Sequence, residues 1–135
     1  MNERLVLDSF ALISLFNKEP GWQTVQNSLY ELQTKGERAL FCWINWGELY
    51  YVIARRAGRP KALETVNLLE QLPVELVEAD SLLVKSAAEV KSDHALSYAG
   101  AFCIATAIRC QGTILTSDPE FAAVSKLVRI RWLRA

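Results

Sequence analysis

The stretch Leu5-Val6-Leu7-Asp8 decides the fold predicted for this chain. Its three consecutive branched apolar residues lack the alternation of a strand with one wet face, so the segment is predicted to be a strand buried on both faces. Residues 9–16 follow with apolar side chains at helical spacing. Asp8 therefore stands where a buried parallel strand ends and a helix begins, which is the edge at which open α/β sheets bind ligands.

The rest of the chain alternates between strand-like and helix-like segments. Further strands are predicted over residues 39–44, 74–77 and 113–116, with 128–133 as an edge strand. Helices are predicted over residues 22–33, 46–56, 62–72, 81–94 and 98–110. Right-handed crossovers then give a mainly parallel twisted sheet flanked by helices, a three-layer α/β sandwich. No repeat or composition shift divides the chain, so residues 1–135 are predicted to form a single domain.

Composition describes an ordinary globular protein. The chain has 135 residues, half of them apolar, which is enough to bury a core of its own. Fifteen basic residues balance fifteen acidic ones, so no global field draws the chain to nucleic acid or to a membrane surface. Because no apolar run approaches the ~18 residues of a membrane span and the N-terminus lacks signal-peptide character, a cytoplasmic location is expected. The three cysteines, Cys42, Cys103 and Cys110, lack CxxC spacing and are predicted to be reduced core thiols.

Three acidic residues far apart in sequence are predicted to meet at one edge of the sheet. Asp8 ends the first strand, Glu48 lies in the first turn of the helix after the second strand, and Asp118 ends the fourth. Crowded carboxylates raise one another's pKa unless a cation neutralises them. Oxygen ligands without His or Cys indicate magnesium or manganese, which nucleic-acid enzymes use to activate water and to stabilise charge on a phosphodiester.

Each acid also has a purely structural interpretation. Asp8 and Asp118 both stand where a helix N-cap is expected. Glu48, in a first turn, could simply interact with the helix dipole. The placement of all three at the same sheet edge favours the functional interpretation.

Four motifs carry a resemblance to a known family. They are Val6-Leu7-Asp8-Ser9 with Leu12 and Phe16, Asn45-Trp46-Gly47-Glu48, Leu96-Ser97-Tyr98-Ala99-Gly100-Ala101-Phe102, and Leu115-Thr116-Ser117-Asp118-Pro119-Glu120-Phe121. Together they resemble the PIN domain, in particular the VapC-type ribonuclease toxins of bacterial toxin and antitoxin pairs. The resemblance runs through nearly the whole chain. It implies a metal-dependent endoribonuclease that forms a homodimer and is held inactive by a cognate antitoxin whose C-terminal segment lies across the active site.

The resemblance also assigns individual residues. Asp8, Glu48 and Asp118 match the family's first, second and last acids, which implies that they are catalytic and bind Mg²⁺ or Mn²⁺. Supporting polar positions are implied for Asn45, Thr116 and Ser117, the last two as hydroxyls that orient an acid.

One family acid is missing. The pattern Leu-Ser-Tyr-Ala-Asp-Ala-Phe supplies a metal-binding aspartate, and this sequence has Gly100 there. Glycine inside a helix lowers helix stability by about 1 kcal/mol relative to alanine, so the presence of Gly100 in this helix calls for an explanation. Three reasons are open: close helix-to-sheet packing, natural loss of activity with antitoxin binding retained, or a deliberate inactivating change, which we favour because an active toxin harms its host. All three predict weak metal binding, and Asp93, beyond a predicted helix break, is not expected to compensate.

Two further features bear on function. A basic cluster beside the helix of Glu48 could hold RNA phosphates, although a solvated helix end is the commoner role of such charges; it consists of Arg55, Arg56, Arg59 and Lys61. A rival function is a catalytically inactive module that works only through antitoxin and dimer contacts, and Gly100 favours that rival. A receiver-like phosphate-binding domain is a weaker alternative, because it would need a phosphorylatable aspartate after a middle strand and a lysine after a later strand, and neither is evident in the sequence.

Overall fold

The computed structural model describes residues 3–133, over which five strands alternate with six α-helices and one 3-10 helix. The strands are β1 (Leu5–Leu7), β2 (Ala39–Cys42), β3 (Val74–Val77), β4 (Thr113–Thr116) and β5 (Arg129–Trp132). The α-helices are α1 (Ser9–Asn17), α2 (Trp22–Thr34), α3 (Trp43–Ala57), α4 (Arg59–Leu69), α5 (Ser81–Asp93) and α6 (Tyr98–Cys110), and the 3-10 helix is Pro119–Val124. No helix among these residues is long and apolar enough to cross a membrane.

The five strands form one sheet in the order β3-β2-β1-β4-β5, and every neighbouring pair is parallel. The strand β1 is central, with Val6 opposite Leu40 of β2 and Leu7 opposite Leu115 of β4. This arrangement confirms the predicted α/β fold with a parallel sheet. Because the strands are parallel, the residues that follow β1 and β4 lie at the same edge of the sheet.

Both faces of the central strand are buried, as its unbroken apolar run predicted. Val6 packs in one core with residues of α5 and α6, whereas Leu5 and Leu7 pack in a second core with residues of α1, α2, α3 and α4. Successive side chains of a strand point to opposite faces, so β1 contributes to both cores. The sheet therefore lies between two helical layers, which is the predicted three-layer sandwich.

The helix that carries Glu48 begins earlier than predicted. The strand β2 ends at Cys42 and α3 begins at Trp43, so the prediction of a strand through Ile44 and a helix from Trp46 was wrong. Aromatic and branched residues favour strands, and Cys42 makes no side-chain capping bond that would have marked the helix start. Glu48 consequently lies in the second turn of α3, beyond the first turn in which the helix dipole has its effect.

The helix α4 also differs from its prediction. It runs from Arg59 to Leu69 instead of over residues 62–72, with its proline in the first turn as expected. Leu63 lies three residues before Val66, at a spacing that would place both on one helical face, but its side chain is 53% exposed. The buried face is formed by Ala62, Thr65, Val66 and Leu69.

The cysteines are free thiols, as predicted. Cys42 and Cys103 are buried and Cys110 is partly buried. Burial is the main cause that raises the pKa of each thiol, so all three stay protonated and unreactive at neutral pH.

Shortening a side chain of the central strand tests whether that side chain is buried in the core. Leu7→Ala is expected to lower the free energy of unfolding by about 3 kcal/mol, because the fully buried side chain leaves a cavity. The matched control Leu63→Ala is expected to change it by less than about 0.5 kcal/mol. Equilibrium denaturation in urea measures both, and equal losses for the two variants would contradict this description of the core.

Candidate active site

Asp8 is a buried carboxylate at the carboxyl end of the central strand. It is 1% exposed, and it is the N-cap of α1, with Oδ2 accepting a 3.4 Å hydrogen bond from the Phe10 N–H. The same oxygen accepts a 2.9 Å hydrogen bond from the hydroxyl of Thr116. Asp8 thus is a helix N-cap, as its structural interpretation predicted. It also accepts a hydrogen bond from Thr116 in β4, which is 108 residues away in sequence.

Thr116 links Asp8 to Asp118. Its side chain is fully buried at the end of β4, and while its hydroxyl donates to Asp8 it accepts a 2.9 Å hydrogen bond from the Asp118 N–H. Asp118 then caps the 3-10 helix, its Oδ1 accepting a 3.0 Å hydrogen bond from the Glu120 N–H. One hydroxyl therefore fixes the relation between two of the predicted acids.

Glu48 is brought to the same edge by α3. Its Oε1 accepts a hydrogen bond from the hydroxyl of Ser9, the residue next to Asp8. The side chain is half-buried, and the bond joins residues 39 apart in sequence. Glu48 is thereby held beside the first turn of α1.

The electrostatics couple these acids. Burial raises the pKa of Asp8 from 3.8 to about 7, against the lowering effect of the Thr116 hydroxyl, and the charges of Glu48 and Asp118 add to the rise. Burial also raises the pKa of Glu48, with further contributions from the charges of Asp118 and Glu120. The pKa of Asp118 is raised by burial and then by the charge of Glu120. Asp8 is therefore influenced by the charges of Glu48 and Asp118, and these two acids by the charge of Glu120.

Each predicted acid keeps one oxygen for a further partner. The hydrogen bonds described above engage Oδ2 of Asp8, Oε1 of Glu48 and Oδ1 of Asp118. The other oxygen of each carboxylate has no hydrogen-bond donor among residues 3–133. Mg²⁺ and Mn²⁺ prefer hard oxygen ligands such as carboxylates, so this donor set fits such a cation chemically.

The side chains as they stand do not form a closed coordination sphere. Within the described part of the chain, no group of three His, Cys, Asp or Glu side chains is spaced to hold a metal ion. A change of side-chain torsion in at least one carboxylate would be needed to bring three ligands to one point.

Asn45 joins α3 to the start of α6. Its Nδ2 donates a 2.9 Å hydrogen bond to the carbonyl of Ala99, the residue before Gly100. The side chain is fully buried, and its Oδ1 has no partner among the described residues. Asn45 thus positions the backbone at the first turn of α6.

Within residues 3–133, Ser117 and the basic cluster form no side-chain hydrogen bond or ion pair with the three predicted acids. Ser117 is exposed and forms no hydrogen bond among residues 3–133, so Thr116 alone of the two hydroxyls orients an acid in this arrangement. Arg55 lies seven residues, about 10 Å, beyond Glu48 on α3, with its guanidinium 5.2 Å from the ring centre of Tyr51. Elsewhere in the cluster Arg56 pairs with Glu19 and Lys61 with Glu64, each at 3.5 Å, and Arg59 is exposed at the start of α4.

Gly100 lies in the first turn of α6 against a carboxylate from another element. Its N–H donates a 3.0 Å hydrogen bond to the hydroxyl of Ser97, the N-cap of the helix. Ser97 in turn donates to Glu120 from its hydroxyl at 2.9 Å and from its backbone N–H at 3.2 Å. Asp93 is exposed at the end of α5 and makes no hydrogen bond to these residues.

Sequence reasoning gave no role to three residues that the structure places in this site. Ser9 and Ser97 each bond to a carboxylate, and Glu120 interacts with two of the acids. The available signals were weak, because Ser97 reads only as a helix cap and Glu120 only as an acid two residues after Asp118.

Comparisons with known proteins agree with this fold. The family model of the PIN domain matches residues 5–127. A search of curated sequences found no match. Among solved structures, the chain is similar to VapBC2 from Rickettsia felis bound to a promoter DNA fragment, with 14% identity over 94% of this chain and 96% of that chain and a TM-score of 0.75. It is similar to VapC20 of Mycobacterium tuberculosis, a toxin that cleaves the sarcin-ricin loop, with 17% identity over 89% of this chain and 94% of that chain and a TM-score of 0.72. It is also similar to FitAcB of Neisseria gonorrhoeae, with 20% identity over 93% of this chain and 95% of that chain and a TM-score of 0.65.

The raised pKa of Asp8 predicts a pH-dependent stability. The folded protein binds this proton more tightly than the unfolded chain does, so the free energy of unfolding is expected to fall as the pH rises from about 4 to about 7. Asp8→Asn removes the buried charge and keeps an oxygen for Thr116. In chelator at about pH 8 it is expected to stabilise the protein by about 2 to 4 kcal/mol, and the gain should shrink toward pH 4.

Urea denaturation at the two pH values measures this gain. The control Asp93→Asn, at an exposed acid, is expected to change the free energy of unfolding by less than about 0.5 kcal/mol at either pH. A gain from Asp8→Asn that does not depend on pH would show that the Asp8 charge is not destabilising.

Proposed function

The chain belongs to the PIN domain family, and we propose that it is the metal-dependent endoribonuclease toxin of a toxin and antitoxin pair. The observation that carries this proposal is the meeting of three coupled carboxylates at the carboxyl edge of the sheet, each with an oxygen free of protein donors. Fold likeness to VapC20, a toxin that cleaves the sarcin-ricin loop, supports the same proposal. The substrate class is therefore RNA, and the reaction is hydrolysis of a phosphodiester.

In this proposal Asp8, Glu48 and Asp118 hold the cation. When bound, Mg²⁺ or Mn²⁺ supplies an activated water and stabilises the charge that develops on the phosphodiester. Thr116 orients Asp8 and Ser9 orients Glu48, so two hydroxyls limit the rotation of the ligands. Burial raises the pKa of Asp8, so this residue would have to lose its proton to water before its carboxylate could bind the cation.

The positions around these acids take supporting roles. Asn45 holds the backbone of the first turn of α6, and Ser117 offers an exposed hydroxyl beside Asp118 to a substrate phosphate. The basic cluster at the end of α3 and the start of α4 gives RNA a local positive patch on a chain of zero net charge, although the patch is partly neutralised by surface ion pairs. Its contribution to RNA binding is therefore small.

A cognate antitoxin and a second copy of this chain are the proposed partners, in the cytoplasm. Several similar structures are toxin–antitoxin complexes, among them one from Salmonella typhimurium bound to DNA, with a TM-score of 0.72. In our proposal an antitoxin segment lies across the acids and blocks access of RNA. The single-domain organisation over residues 1–135 is part of the same proposal.

Gly100 gives the rival function its support. The family pattern has a fourth acid where this chain has Gly100, so the site is one carboxylate short of that pattern, which would weaken cation binding and cleavage. A catalytically inactive module that acts only through antitoxin and dimer contacts would then result. The choice between the two depends on what fills the space of the missing side chain.

Cleavage of RNA tests the proposed function. The protein is expected to cut cellular RNA with Mg²⁺ or Mn²⁺, and excess chelator should stop the reaction. Asp8→Asn is expected to reduce the rate by about 100-fold or more, because it removes a ligand charge, whereas Asp93→Asn should cut normally. Fragment analysis by gel or sequencing reads out both. If neither this chain nor its Gly100→Asp variant cuts any cellular RNA, the inactive module is the correct function.

A further inference from the structure

The carboxylate of Glu120 occupies the space that a side chain at position 100 would fill. A Cβ added to Gly100 would lie 2.6 Å from Oε1 of Glu120, which is far inside normal contact distance. By ordinary bond lengths, the carboxylate oxygens of an aspartate lie about 2.4 Å from its own Cβ. Oε1 of Glu120 thus stands about as far from the Cβ position as an oxygen of an aspartate at position 100 would.

Two sets of hydrogen bonds hold Glu120 there. At its backbone, the N–H donates to Asp118 at 3.0 Å, which fixes the start of the 3-10 helix. At its side chain, Oε1 accepts both the hydroxyl and the backbone N–H of Ser97. The positive end of the α6 dipole also favours a negative charge at this place. The side chain is therefore positioned, although its backbone lies on a different element from Gly100.

The other oxygen of Glu120 is available. Both bonds from Ser97 go to Oε1, and Oε2 has no hydrogen-bond donor within residues 3–133. The charge of Glu120 also raises the pKa of Glu48 and of Asp118, which shows that it lies in the field of the same acids. Glu120 therefore has the same features as the three predicted ligands: an anchored oxygen, a free oxygen and a place in the cluster.

We propose that Glu120 is a cation ligand of this site and supplies, from the 3-10 helix, the carboxylate that Gly100 lacks. This inference rests on the proposed function, because it concerns the same metal site. The site then has four carboxylates, contributed by Asp8, Glu48, Asp118 and Glu120. Gly100 is consequently a requirement of the arrangement, since any larger residue would displace the Glu120 carboxylate.

Exclusion of one carboxylate by the other gives the proposal its test. A Cβ at position 100 would push Oε1 of Glu120 aside, which is possible because that oxygen is the end of a flexible side chain. In Gly100→Asp the new carboxylate therefore replaces that of Glu120 and is not added to it. The affinity for a cation is expected to change little in that variant, and to become independent of Glu120.

The experiment measures Mn²⁺ affinity by electron paramagnetic resonance of free Mn²⁺, without RNA. Glu120→Gln is expected to weaken binding about tenfold or more, since it removes the charge but keeps an oxygen to accept from Ser97. In the Gly100→Asp background the same change is expected to have an effect of less than about threefold. The control Glu31→Gln alters an exposed carboxylate beside Leu5, at the opposite end of β1, and should leave affinity unchanged.

Each outcome decides between the two proposals. If Asp8→Asn abolishes Mn²⁺ binding and Glu120→Gln does not alter it, the role of Glu120 is wrong and the metal site stands. If this chain binds no Mn²⁺ while Gly100→Asp does, Glu120 does not compensate for Gly100. If neither chain binds Mn²⁺, the metal-dependent function itself is wrong. Thermal unfolding of each metal-free variant separates a loss of binding from a loss of fold.

Discussion

The burial of an ionisable carboxylate at the end of the central strand is the constraint on which the rest of the site depends. Asp8 is almost completely inaccessible, and the neighbouring acids add to the free-energy cost of its charge. The Thr116 hydroxyl and the Phe10 N–H in the first turn of α1 offset part of that cost. A buried carboxylate whose charge is electrostatically unfavourable is typical of sites that are completed by a ligand. The free energy of unfolding of such a protein is lower than the same fold would have with a neutral residue at that position.

The arrangement around Asp8 is built from short polar links between distant segments. Thr116 joins β4 to β1, Ser9 joins α1 to α3, and Asn45 joins α3 to α6. Packing in the two hydrophobic cores sets the positions of the helices and strands. The polar links set the orientation of individual side chains.

The sequence predicted what depends on local pattern. We could recognise from the sequence the unbroken apolar run of β1, the small-residue helix α6 and the acids after β1 and β4. Burial on two faces requires a continuous apolar run, and parallel crossovers require strands and helices to alternate along the chain. The start of α3 was not, since Trp43 and Ile44 favour strands and no capping residue announces the helix. The role of Glu120 could not be predicted, because it depends on the direction of a side chain that meets Ser97 across 23 positions.

The contact between Gly100 and Glu120 also has a consequence for how such a chain can change over generations. Two positions on different elements offer one place for a carboxylate, so their effects on fitness are expected to be strongly epistatic. A lineage can exchange an acid at one of these positions for an acid at the other while the charge of the site is kept, provided that the new acid is gained before the old acid is lost. The order of substitutions then decides whether function survives each step, and the backbone position of an acid becomes less informative than the place its oxygens reach.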